Sequence, residues 1–259
     1  MIRGNVLFLY RFSKNEGDKV NIMFRIILTF GLSCLLLVTN SCQNSYSLKG
    51  SADVSNIEGR MITLALPNPN GSWEMLDSCE VTHGLFSMKG KTDSVSVATL
   101  FVGDTPLMPV ILEKGNICVD ISNLSLRVSG TRLNDLLYKF IDDKTQLDVK
   151  ATELDRTESQ MIMRGEEENV IRHYVDSAYA SISDEMTKLV TGFISSNYSN
   201  VLALCGFNML TNGLPYPVMT PLIKQVLDEA PKEFRENPMI RDFVSAANDN
   251  MAQRDYTNY

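Results

Sequence analysis

Few residues in this chain have the type and spacing to do chemistry. Of its five cysteines, Cys34 lies in an apolar run near the start and Cys42 just after it, and Cys79, Cys118 and Cys205 stand far apart. No two form a C-x-x-C pair, the arrangement that lowers a thiol pKa for disulfide exchange, so self-contained redox catalysis is not expected. His83 and His173 are the only histidines. A zinc site draws three or four clustered ligands, so both read as structural or merely exposed. Asp77-Ser78 sets a carboxylate beside a hydroxyl, but no G-x-S-x-G elbow surrounds it, and a turn or strand-edge feature is expected there. Glu166-Glu167-Glu168 supplies carboxylates on one helix start, where they cannot oppose each other across a scissile bond. No catalytic residue, metal ligand or cofactor is expected. Two Pro-rich stretches, "GDTPLMP" and "NGLPYPVMTP", are loops by composition, with Tyr216 and Met219 as possible contacts.

Cys42 is the exception. The apolar run Ile26–Val38 is broken only by Thr29, Gly31, Ser33 and Cys34. It is shorter than the roughly 20 residues of a spanning helix and suits a signal-peptide core of about 7–15 residues. Arg25 precedes the run, and Thr39-Asn40-Ser41 closes it. The pattern resembles a bacterial lipoprotein signal, with Cys42 as the lipidated residue, although Thr39 stands where Leu is usual. Cys34 fits less well, because more apolar chain follows it. Acyl chains would hold firmly, since each buried methylene contributes about 0.8 kcal/mol. Residues 1–22, with Lys14, Glu16, Asp18 and Lys19, form a charged lead that no signal needs. They are expected to be an upstream extension from a mis-assigned start, with 23–41 as the signal peptide. The expected location is the periplasmic side of the cell envelope, at the outer membrane, held by a lipid on Cys42.

Five of the 24 Lys and Arg and two of the 31 Asp and Glu precede Cys42, which leaves residues 43–259 with a net charge of −10. That surface repels nucleic acid and anionic membranes, and no basic patch with interleaved aromatics is present.

Strand signals run from Ser47 to Val128. "GRMITLALPN" ends in a loop at Pro67–Gly71, and "DSCEVTHGLFSMKG" reads as a hairpin turning at Thr82-His83-Gly84. "SVSVATLFVGD", "LMPVILEKGN", "NICVDIS" and "LRVSG" follow, with Pro109 marking an edge or a strand start. About seven short strands at such spacing predict an antiparallel β-sandwich or barrel over 42–130. The period then changes. Thr131 reads as an N-cap, and Leu133, Leu136, Leu137, Phe140 and Ile141 share a helical face. Ile171 to Phe193 recur at three- and four-residue steps, and Thr220-Pro221 and Asn237-Pro238 each read as a helix start. Residues 131–247 are therefore expected to be helical and packed on the β domain or on each other, and 248–259 to be a polar tail. The fold class is α+β. Strand parity puts Cys79 inward with Val81 and Cys118 outward with Asn116 and Asp120, and Cys205 in an apolar helix, so no disulfide is expected.

The stretches "YSLKGSADV", "LDSCEVTHGLFSMKGK", "VILEKGNICVDI" and "VSGTRLNDLLYKF" resemble a domain of unknown function at the N-terminus of TlpA/ResA-like thiol–disulfide interchange lipoproteins. "SSNYSNVLALCGFNML" and "LDEAPKEFRENPMIRDF" resemble the helical segment that follows it in that family, so the likeness covers nearly all of 46–247. In the family a thioredoxin-like domain with a C-x-x-C site comes next, and no such motif occurs here, so no family catalytic residue transfers. The expected function is a non-catalytic, lipid-anchored periplasmic binding or scaffold module. The alternatives are an accessory or remnant of a thiol–disulfide oxidoreductase working with a separate thioredoxin-like protein, and an enzyme with an unrecognised site. The expected partners are the membrane, through the lipid, and a thioredoxin-like or other envelope protein, with no nucleic acid.

Overall fold

The computed structural model describes residues 44–54, 56–68 and 71–257; Cys42, the signal segment and the upstream extension lie outside them. Eight strands come first: β1 (Ser45–Asp53), β2 (Met61–Pro67), β3 (Trp73–Glu80), β4 (Leu85–Lys91), β5 (Ser96–Val102), β6 (Thr105–Leu112), β7 (Gly115–Ser122) and β8 (Leu126–Ser129). They form two four-stranded sheets, ordered β4-β1-β7-β8 and β3-β2-β5-β6.

Alternation sets the faces. Tyr46, Leu48, Gly50 and Ala52 of β1 are buried, as are Ile117, Val119 and Ile121 of β7. Leu48 lies beside Ile117 and Ala52 beside Ile121 in the ladder, so the parity carries across the pair. These residues join Ile62, Leu64, Leu100 and Val110 of the other sheet in one apolar core. The ladders β2–β3, β2–β5, β5–β6 and β7–β8 are antiparallel, as expected, whereas β1–β7 is parallel. The whole second sheet intervenes between β1 and β7, and so long a crossover lets β7 enter from the same end as β1.

Six helices follow: α1 (Arg132–Met163), α2 (Glu168–Ser195), α3 (Val201–Thr211), α4 (Pro221–Glu229), α5 (Lys232–Arg235) and α6 (Pro238–Thr257). Leu133, Leu137 and Tyr138 of α1 and Leu202 and Cys205 of α3 belong to the β-domain core, so the helices form an integrated layer. A second cluster joins Phe140, Val190 and Ile194 to Phe207, Ile223, Val226, Phe234 and Ile240, with the Phe140 and Phe193 rings stacked 4.0 Å apart. The far half of the α1–α2 hairpin has its own small seam of Leu154, Met161, Ile171 and Val175, bridged by Lys150–Glu185 at 2.7 Å. The α4 start is as its sequence predicts: the Thr220 hydroxyl accepts from the Ile223 N–H, with Pro221 in the first turn. Asn237 caps α6 through Met239. That helix runs on to Thr257, where the lack of periodicity predicts a polar tail. Ala247 is fully buried and Asn250 donates to the Pro217 carbonyl at 2.8 Å, so tertiary contact carries the helix past its last apolar step. Among the described residues no helix is long and apolar enough to cross a membrane.

Candidate functional site

The β3–β4 hairpin is where the two sheets part. Thr82 and Leu85 exchange both backbone hydrogen bonds around a two-residue turn, His83-Gly84, whose φ values are 54° and 69°. Two successive left-handed residues define a type I′ turn, which favours Asn-Gly and here holds a histidine instead. The Glu58 carboxylate accepts from the His83 and Gly84 N–H groups, at 2.7 and 2.9 Å. Those two hydrogen bonds hold its carboxyl below the usual range, with the nearby His83 adding to the effect.

Beyond that turn the strands separate: β3 hydrogen-bonds β2 in one sheet, and β4 hydrogen-bonds β1 in the other. Two glycines set how β4 lies on β1. A Cβ on Gly50 would collide with the Phe86 ring, and one on Gly90 would collide with the Tyr46 ring. Each strand thus lends an aromatic ring to cover the other's glycine, and both rings are buried. Cys79 sits near the apex, half-buried and packed against the core. Burial pushes its thiol pKa up, partly offset by a hydrogen bond from the Ser87 N–H, and Asp77 adds a further push upward. Tyr46 is likewise raised, by burial first and then by Asp77.

At the far end of the opening, Trp73, Glu74, Met75 and Leu76 are all exposed. An inner strand alternates between faces; four exposed residues in a row mark a strand with a free side. Trp73 is 48% exposed and Met75 66%. Trp73 lies edge-on against Phe101 with centroids 4.9 Å apart and helps to bury that ring.

The opposite edge of that sheet, β6, is shut. Asn134 of α1 is fully buried, and its side-chain carbonyl accepts from the Ile111 N–H at 2.9 Å while its amide donates to the Ile111 carbonyl at 2.8 Å. It imitates one residue of a neighbouring strand, and its second N–H goes to the Thr131 hydroxyl at 2.8 Å. The Tyr138 hydroxyl donates to the Pro109 carbonyl at 2.9 Å, and burial raises its pKa. Pro106 and Pro109 have no N–H to leave free. Thr131 does stand at the N-cap, yet its hydroxyl caps no helical N–H; the Glu113 carboxylate takes the Leu133 N–H instead, at 2.7 Å.

The other residues singled out by type do not converge. His83 lies in the turn and His173 is exposed on α2. The Asp77 carboxylate accepts from the next residue's own N–H, that of Ser78, at 2.8 Å, and not from the Ser78 hydroxyl. Glu166 pairs with Arg164 and Glu168 with Arg172, while Glu167 stands at the N-cap position of α2 without a side-chain capping bond. Among the described residues no group of three or more His, Cys, Asp or Glu could hold a metal ion. "GDTPLMP" is a tight turn followed by most of β6 rather than a binding loop. Cys118 is exposed and Cys205 buried, as parity and helix position require, and all three described cysteines are free. Burial pushes the Cys205 pKa up to about 12. Cys79 is half-buried rather than buried, because β3 is covered on one side only. The open edge itself carries no sequence motif; only the run of Trp73, Met75 and Leu76 after a Pro-Asn-Gly loop hints at it.

Residues 46–137 match the model of a domain of unknown function, DUF4369. The matched stretch takes in all but the first residue of the eight strands and ends inside α1, so the helix start that closes β6 belongs to it. Comparison with curated proteins and comparison with solved structures each give no match.

Proposed function

We propose that this chain is a non-catalytic binding module, lipid-anchored through Cys42 on the periplasmic side of the cell envelope, which takes an extended segment of a partner protein along β3. The observation that carries the reading is the edge at Trp73–Leu76, which pairs with no further strand among the described residues and has exposed apolar side chains, on a sheet whose other edge is closed. A row of unpaired backbone donors and acceptors fits one kind of group, the edge of another strand. Fully burying a side chain such as Met75 is worth about 2 kcal/mol. Glu74, Asp77 and Glu80 make β3 acidic. An incoming strand with Lys or Arg complements it, whereas a second copy of β3 would set acid against acid. The likeness of stretches across 46–247 to thiol–disulfide interchange lipoproteins favours an envelope partner of the thioredoxin-like kind. The raised pKa values of Cys79 and Cys205 disfavour a thiol role for the module itself.

The test is site-specific photocrosslinking in intact cells, with the probe at Met75 and, as a control, at Leu124, which is exposed on the β7–β8 turn. Adducts at Met75 that vanish in a Trp73→Ala background, and none at Leu124, are expected. Equal labelling at both positions, or none at Met75, would defeat the strand-addition reading. Detergent phase partitioning of Cys42→Ala tests the anchor separately: the variant should move to the aqueous phase.

A further inference from the structure

A groove of about 390 Å³ lies between α4, the end of α5 and α6, lined by Leu227, Asp228, Arg235, Ile240, Arg241, Val244, Ser245 and Asn248. Its volume lies in the range of small-molecule sites. On α6 the lining residues recur at one-, three- and four-residue steps, so one face of the helix forms the wall. Leu227, Ile240 and Val244 make that groove apolar, and they belong to the second core cluster.

Its charge runs against the rest of the molecule. Of the twelve basic side chains described in the helical half, eight stand in ion pairs; Arg235 and Arg241, like Arg132 and Arg156, do not, and of those four only Arg235 and Arg241 line the groove. Asp228, the one acid in the lining, already faces Lys224 at 3.4 Å. Two exposed guanidiniums without an ion pair thus stand in the lining of a largely apolar groove, in a protein of net charge −7.

We infer that this groove binds a small amphipathic anion: a carboxylate or phosphate head held by Arg235 and Arg241, with an apolar body along Leu227, Ile240 and Val244. Ser245 and Asn248 supply neutral hydrogen-bonding groups at its rim. The site is separate from the β3 edge and stands or falls independently of it.

Equilibrium dialysis of the full chain tests the inference, with 4-phenylbutyrate and phenyl phosphate as probes and 4-phenylbutanol and acetate as controls. At least one anionic probe should saturate a single site, and both controls should bind at least about tenfold more weakly, since one lacks the charge and the other the body. Which anion binds more tightly tells a carboxylate source from a phosphate source. Arg235→Gln and Arg241→Gln, both surface changes, should each weaken binding about tenfold. Arg156→Gln removes an exposed guanidinium outside the groove and should change nothing. No saturable binding of either anion up to about 10 mM, where the free energy of binding falls below about 3 kcal/mol, would overturn the site. So would equal binding of the alcohol, or variants that bind like the parent.

Discussion

The two edges of the β3-β2-β5-β6 sheet face the same physical problem and meet it in opposite ways. At β6, prolines remove donors, Asn134 satisfies both backbone groups of Ile111, and Tyr138 takes a carbonyl. At β3 the first half of the strand has Trp73, Met75 and Leu76 in solvent. Closing one edge with a buried amide while the other keeps large apolar side chains in solvent separates a sealed margin from an open one. An exposed hydrophobic strand edge is ordinarily a liability, and it is on this open margin that the proposed strand addition rests.

The sharpest way to break this contrast is Asn134→Leu. The change removes three hydrogen bonds and strands the buried N–H and carbonyl of Ile111, which should cost about 3 kcal/mol or more. Denaturant unfolding checks it; a loss under about 1 kcal/mol would mean the β6 edge is not held closed by this residue. Trp73→Ala on the open edge should behave in the reverse manner. It exposes Phe101 and removes one aromatic contact, for about 1 kcal/mol of stability, while abolishing crosslinking from Met75.

Thiol kinetics sharpen the same picture. Cys118 on the solvated face should alkylate fastest at pH 8, Cys79 more slowly, and Cys205 only on unfolding. Burial raises the pKa of the latter two, so both present less thiolate at that pH. Intact-mass analysis over time gives the order, and a Cys79 that outpaced Cys118 would contradict the packing of β3 against the core.

The smallest effect belongs to Glu58. Its folded pKa lies below the unfolded value, so its support of the hairpin turn is fully present above the unfolded pKa and fades as pH falls through the folded one. Glu58→Gln should flatten the acid limb of a stability–pH curve slightly and leave the neutral region nearly unchanged. Faster amide exchange at His83 and Gly84 in the variant would report the loosened turn directly.

Much of this was legible in the chain itself. Alternation in "SLKGSAD" and "NICVDIS" determined which residues face inward, because a strand has period two whatever it pairs with. The same rule placed Cys118 outside before any partner strand was known. Thr220-Pro221 and Asn237-Pro238 determined two helix starts, because capping is a local hydrogen-bond matter. Tertiary structure decided the rest. The parallel β1–β7 pairing joins residues far apart in sequence, and no local signal encodes direction. The same holds for Thr131, read as a cap but serving Asn134, and for α6, which outruns its own periodicity because Ala247 and Asn250 find partners elsewhere. Cys79 is only half-buried because a strand's parity names a face but cannot say whether anything lies beside it. The open edge at Trp73 and the groove at Arg235 and Arg241 are products of tertiary structure for that reason: each is defined by what does not pack against it, and that depends on where every other element has gone.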